Sequence, residues 1–230
     1  MDKTQSKCRG VLIVFEGLDR AGKSTQAAGL LLKLREQGQV VKLIRFPNRT
    51  TPLGEMIDRY LQGELQLDDH AVHLLFSANR WELAKEIEEQ ISNGVTLILD
   101  RYSYSGAVYS AAKEIDNLSF EWAWQPEIGL PRPDIWFFLN ITPEVAQTRG
   151  DYGLERYERI DMQTKAGRIF MSLCGIEHNE EMRIIDASKE KQEISDEILA
   201  EVLACKADIV GRPLRFLGIL SPKVAEGDSS

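Results

Sequence analysis

Cysteine is scarce in this chain. Cys8, Cys174 and Cys205 are scattered, with no C-x-x-C pair. That pattern supports neither a disulfide frame nor a zinc site, and it fits a reducing compartment. The expected location is the cytoplasm, with the nucleus as a second place. Long apolar runs are missing too: none approaches the ~18 residues of a membrane span. Met1 to Gly10 is polar and is not expected to act as a secretory signal. A basic excess is also lacking. Lys plus Arg number 28 against 36 Asp plus Glu, a formal charge of −8. Neither duplex nucleic acid nor a membrane is an expected partner. A small anion stays open, because a few clustered arginines can make a local positive site.

What is present builds a core. The 230 residues are 43% hydrophobic and 28% charged, ordinary globular usage. One domain is expected over residues 1–230, with a short lid near 150–157 and a frayed tail near 222–230. Val11–Phe15, Val40–Phe46, Val95–Leu99 and Ile135–Leu139 are continuous apolar runs, and Arg183–Asp186 is a weaker fifth. Such runs suit strands covered on both faces, as in a parallel sheet. Amphipathic stretches near 23–37, 53–61, 69–92, 104–114, 143–149, 155–173 and 190–207 read as helices. Gly38 and Gly94 stand where C-terminal caps belong, and Thr142-Pro143-Glu144 is an N-terminal cap signature. Alternating strands and helices predict an α/β fold with right-handed crossovers.

The sharpest signal is Gly17-Leu18-Asp19-Arg20-Ala21-Gly22-Lys23-Ser24. It matches G-x-x-x-x-G-K-[ST] between a strand and a helix, the context that motif requires. Its glycines let backbone N–H groups form an anion nest, and the following helix turns its positive end to the same anion. Lys23 is placed for the β- and γ-phosphates and Ser24 for Mg²⁺. No N-K-x-D guanine motif occurs, so a small phosphotransferase using ATP is favoured over a GTPase.

Two further motifs end strands: Phe46-Pro47-Asn48-Arg49 and Asp100-Arg101-Tyr102. Ligands of open α/β sheets bind outside the strands' carboxyl ends. Arg20, Lys23, Arg49 and Arg101 can therefore converge on one pocket that holds a donor and an acceptor phosphate, since arginine binds phosphate bidentately. Asp100 ends its strand as a Mg²⁺-proximal carboxylate would. Phe76 and Arg80 share a helix face, where a ring could stack on a base and a guanidinium read its carbonyl. Spacing alone favours core packing for Phe76 and Trp81. Asp68 to His73 reads as a solvated helix start rather than a metal site, Trp122 and Trp124 as packing anchors, and Cys174 as a helix-end thiol.

Glu16 to Gln26, Phe46-Pro-x-Arg49, Leu74 to Trp81 and Asp100 to Gly106 together resemble the thymidylate kinase family. Gln125-Pro126, Gly129 to Pro131, Pro133-Asp134, Glu155 to Glu158 and Asp186 to Ser188 extend the match over about residues 9–215. Arg20 within the phosphate loop is similar to the eukaryotic-type subgroup. The resemblance implies a P-loop kinase fold, a five-stranded parallel sheet flanked by helices, and a homodimer. It implies transfer of the ATP γ-phosphoryl to dTMP with Mg²⁺, giving dTDP and ADP for dTTP synthesis. The catalytic set would be Arg20, Lys23, Asp100 and Arg101. ATP would be held by Gly17, Leu18, Asp19, Ala21, Gly22, Lys23, Ser24 and Thr25, with Arg149 stacked on adenine beside Ala187 and Ser188. For dTMP the implied residues are Asp19 (the 3′-hydroxyl), Phe46, Arg49, Phe76 (stacking), Arg80 (a base carbonyl), Arg101, Ser105, Gly106 and Tyr157 (crowding C2′). Arg156 would belong to the lid, and Ser24 and Asp100 would face the metal. Another nucleotide or nucleoside kinase, or a nucleotide-binding regulatory module without turnover, are the alternatives.

Overall fold

The five apolar runs become five parallel strands: β1 (Leu12–Gly17), β2 (Val41–Arg45), β3 (Thr96–Asp100), β4 (Ile135–Asn140) and β5 (Met182–Asp186). The computed structural model describes residues 8–149, 155–175 and 180–220. Strand order is β2-β3-β1-β4-β5. β1 and β3 are buried along their whole length, and β4 along all but Asn140. The edge strands β2 and β5 are largely accessible, which is why β5 is the weakest of the five in the sequence. β1 lies at the centre, where connections leave toward both sides. A crevice opens at such a switch point, and the phosphate loop follows β1 directly.

Helices cover both faces: α1 (Lys23–Glu36), α2 (Pro52–Leu61), α3 (Asp69–Ser92), α4 (Ser103–Ala111), α5 (Phe120–Trp124), α6 (Pro143–Gln147), α7 (Ile160–Ser172) and α8 (Lys191–Asp208). Their ends follow local chemistry. Thr51 and Thr142 cap α2 and α6 ahead of a proline, and Asp68 caps α3 by accepting from His70 and Ala71. Gly38 and Gly94 take positive φ just beyond α1 and α3, as expected for that exit.

Several expectations are corrected. α7 begins at Ile160 rather than 155, because residues 155–158 fold into a turn against the site, with Glu158 N bonded to Glu155 O. α4 stops at Ala111, and Glu114 follows with φ 53°. α5 and the 3-10 turn Gln125–Glu127 are too short, at five and three residues, to carry a periodic signal in the sequence. Asp68 to His73 is not wholly a solvated start. His73 is buried, with Nδ1 2.8 Å from Ser110 Oγ, whereas His70 Nε2 faces Asn117 O. The two histidines thus share no ligand site. Trp81 is not core: it is 43% exposed and donates to Pro126 O. Trp124 is buried and donates to Gly218 O, while Trp122 meets the edges of His70 and His73. Both act as the packing anchors expected.

A C-terminal strap closes the fold. Leu217 exchanges backbone hydrogen bonds with Gly129 and Leu130, and Arg215 O accepts from Arg132. Of the lid expected near 150–157, residues 150–154 lie outside the described residues, as does the tail expected to fray near 222–230.

Candidate active site

A cavity of about 1310 Å³ opens over the carboxyl ends of the central strands. Asp19, Arg20, Lys23, Arg49, Arg80 and Arg101 all reach its wall. The convergence expected of Arg20, Lys23, Arg49 and Arg101 is therefore realised.

The phosphate loop is shaped by backbone freedom. Gly22 takes φ 96° as it leads into α1, a conformation open to glycine without strain. Arg20 adopts φ 62° and Arg101 φ 69° without that freedom. Such backbone strain is typical of ligand clamps. Lys23 Nζ donates to Gly17 O at 3.1 Å and Leu18 O at 2.5 Å. Burial, seconded by the Arg101 charge, pulls its pKa down to about 8. Gly17 and Leu18 thus serve through their carbonyls, while Ala21, Gly22, Ser24 and Thr25 line the cavity.

Arg101 is held from three sides. Its guanidinium pairs with Asp19, and Nη1 donates to Gly17 O at 3.2 Å and Ser105 Oγ at 3.0 Å. Ser105 in turn donates its hydroxyl hydrogen bond to Glu16, whose carboxylate also accepts from the backbone N–H groups of Tyr102 and Ser105 at 3.0 Å. Burial pushes the Glu16 pKa up against these hydrogen bonds. Ser105 lines the cavity as expected, and its hydroxyl also orients Arg101. Burial disfavours charge on Asp19, yet Arg101 and Lys23 outweigh it and hold that carboxyl below its ordinary range.

Gln163 on α7 went unnoticed in the sequence. Its amide donates to Asp19 Oδ2 (2.7 Å) and Tyr157 O (2.8 Å), and its oxygen accepts from Asp19 N (2.9 Å). One buried side chain therefore ties the phosphate loop to Tyr157. Tyr157 itself lines the cavity between the rings of Tyr60 and Tyr109.

Two of the cavity arginines are paired with carboxylates. Arg49 pairs with Asp58 (2.6 Å) and Glu155 (2.7 Å), and Arg20 with Glu158 (3.3 Å). An incoming phosphate would take over such pairings, since it offers the same fork-matching oxygens. Arg149 donates to Arg20 O (3.0 Å) and Ala187 O (2.8 Å), spanning the phosphate loop and the turn after β5. Ser188 is not brought to the cavity wall. It is exposed and closes that turn by bonding Asp186 Oδ1, which leaves Ala187 aimed at Arg149. Arg156 also turns elsewhere, over the Tyr60 ring at 4.2 Å.

At the other end Phe76 is half-buried on the wall, with Phe46 and Gly106 nearby. Arg80 is fixed by Glu127 from the unforeseen 3-10 turn: Nε donates at 2.7 Å and Nη2 at 2.5 Å. A Cβ on Gly106 would strike the Arg80 guanidinium, so glycine is what admits Arg80 there.

Ser24 Oγ donates to Asp100 Oδ2 at 2.6 Å. A hydroxyl and a carboxylate side by side on the phosphate-loop wall are hard oxygen donors of the kind Mg²⁺ takes alongside waters and substrate phosphates. The donor set fits that ion.

A central phosphate loop, a parallel sheet with its crevice at the switch point, and further arginines on the wall of the same cavity define a P-loop nucleotide kinase. Comparison with known proteins sharpens the class. The thymidylate kinase family profile matches residues 15–198. The thymidylate kinase of Schizosaccharomyces pombe is 50% identical, over 83% of this chain and 90% of that protein. That of Arabidopsis thaliana is 49% identical over 92% and 78%. A solved structure of thymidylate kinase from Candida albicans superposes with a TM-score of 0.82 at 36% identity, covering 92% of this chain and 99% of that one. The chain belongs to the thymidylate kinase family.

Proposed function

We infer that this enzyme transfers the γ-phosphoryl of ATP to dTMP, yielding dTDP and ADP for dTTP synthesis. The observation that carries the reading is that Arg20 and Lys23 of the phosphate loop share the wall of one cavity with two further arginines, Arg49 and Arg101. A nucleoside acceptor would bring Arg49 and Arg101 no phosphate to bind.

An oxygen of the dTMP phosphate forms the new bond to the γ-phosphorus as the bond to the β–γ bridging oxygen breaks. No protein nucleophile is required, so catalysis is positioning plus electrostatic stabilisation. Lys23 and the loop N–H groups hold the donor, and Arg49 and Arg101 aim the acceptor. Arg20 meets charge on the group in transit. Asp19 would bind the acceptor sugar's 3′-hydroxyl, Phe76 would stack on the base and Arg80 would read its carbonyl; that all three line the cavity supports this reading. Ser24 and Asp100 would hold Mg²⁺, which supplies neutralisation of phosphate charge. The reading includes a homodimer, supported by Leu74 and Trp81, both exposed two turns apart on α3.

The test offers ATP and Mg²⁺ with each nucleoside monophosphate separately and measures ADP formed. Fastest turnover with dTMP is expected. Acceptor-independent ADP release, or preference for unphosphorylated thymidine, would overturn the assignment.

A further inference from the structure

Beside Ser24 and Asp100 stands a side chain to which the reaction assigns no role. Arg45 ends β2 in register with Asp100 on β3, and parallel neighbours in register project to the same face of the sheet. Arg45 Nε donates to Asp100 Oδ2 at 3.0 Å, and its Nη2 donates to Ser24 Oγ. Ser24 donates to that same Oδ2. One guanidinium therefore touches both oxygens of the cation face, from the wall of the cavity itself. Arg45 is 63% exposed and Asp100 only 5%. An almost buried carboxylate needs a counter-charge, and an exposed arginine gives up rotamer freedom to supply one.

We propose that Arg45 is a positioning residue for the cation site. In the nucleotide-free enzyme its guanidinium stands in for the divalent cation, neutralising Asp100 and keeping Ser24 Oγ turned toward it. It yields the two oxygens when the cation arrives with nucleotide. This rests on the reading of Ser24 and Asp100 as the metal face. The consequence is selectivity of loading. Two positive groups compete for the same oxygens, so a free cation is excluded. A cation accompanied by phosphate oxygens brings the extra ligands that displace Arg45.

The experiment uses the full chain and Mn²⁺, followed by the electron-spin resonance of the free ion. Without nucleotide, Arg45→Met should bind Mn²⁺ at least about tenfold tighter than the parent, the order expected when a like charge a few ångströms from a divalent ion is removed at a water-facing site. Arg45→Lys keeps the charge and should stay within about threefold of the parent on the same electrostatic ground. Adding Ser24→Ala to Arg45→Met should abolish the gain. Equal affinity in Arg45→Met and the parent overturns the proposal. So does an equal gain in Arg45→Lys, or a gain that survives Ser24→Ala. A parent that binds no Mn²⁺ even with ADP would instead bring down the metal-face reading, and the proposal with it. Arg45 is exposed, and matching melting temperatures establish that the variants are folded.

Discussion

Arg80 and Glu127 meet through two parallel hydrogen bonds of 2.7 and 2.5 Å, with both side chains almost wholly shut away from water. Removing one partner of such a pair strands the other's charge, which costs about 3–5 kcal/mol. Glu127→Gln is expected to lower the melting temperature by roughly 10 °C, at about 2–4 °C per kcal/mol in a chain of this size. It should also weaken dTMP binding more than ATP binding, because Arg80 loses its aim. Calorimetric melts and separate titrations of each nucleotide check both halves. Equal loss for dTMP and ATP would detach Arg80 from the base.

Gly106→Ala probes the same contact from the other side. The added methyl lands on the Arg80 guanidinium, which cannot swing away without breaking its bond to Glu127. The expected outcome is a raised KM for dTMP with the KM for ATP little changed. Steady-state kinetics with each substrate varied in turn decide it, and an unchanged KM for dTMP would contradict the geometry.

Arg20 sits in the phosphate loop at φ 62°, its guanidinium turned to Glu158. A residue that grips the transferring group better in the transition state than in the ground state affects kcat. Arg20→Ala is expected to lower kcat by about 10³ or more, the scale of arginine fingers. A role in binding ATP alone would instead raise its KM and leave kcat within about tenfold. Both constants are read at saturating dTMP.

His73 makes stability depend on pH. Burial, with the nearby Arg80 charge, pulls its pKa from 6.5 down to about 4. The unfolded chain takes up a proton near pH 6.5 that the folded protein refuses until about 4. The stability due to neutral His73 is complete above 6.5 and is lost progressively as pH falls toward 4, by about 1.4 kcal/mol per pKa unit of separation. His73→Gln should flatten the decline in melting temperature between pH 7 and 4.5. A parallel decline in parent and variant would show that His73 does not contribute it.

The sequence by itself determined the sheet and the phosphate loop. Continuous apolar runs such as Leu12–Phe15, short and rich in β-branched residues, suit strands covered on both faces. The Gly22-Lys23-Ser24 turn sets its own geometry through local dihedral preferences, and Thr142 and Asp68 cap their helices within three residues. These are short-range facts, and short-range facts are written in spacing. Only the tertiary structure decided how the polar groups of the site hold one another. Gln163 reaches Asp19 across 144 residues, Arg45 reaches Asp100 across 55, and Glu127 reaches Arg80 across 47. A buried charge or amide must find a partner, but which partner depends on how each helix docks against the sheet. That docking follows from the summed burial of whole faces, which no residue's immediate neighbours in sequence reveal.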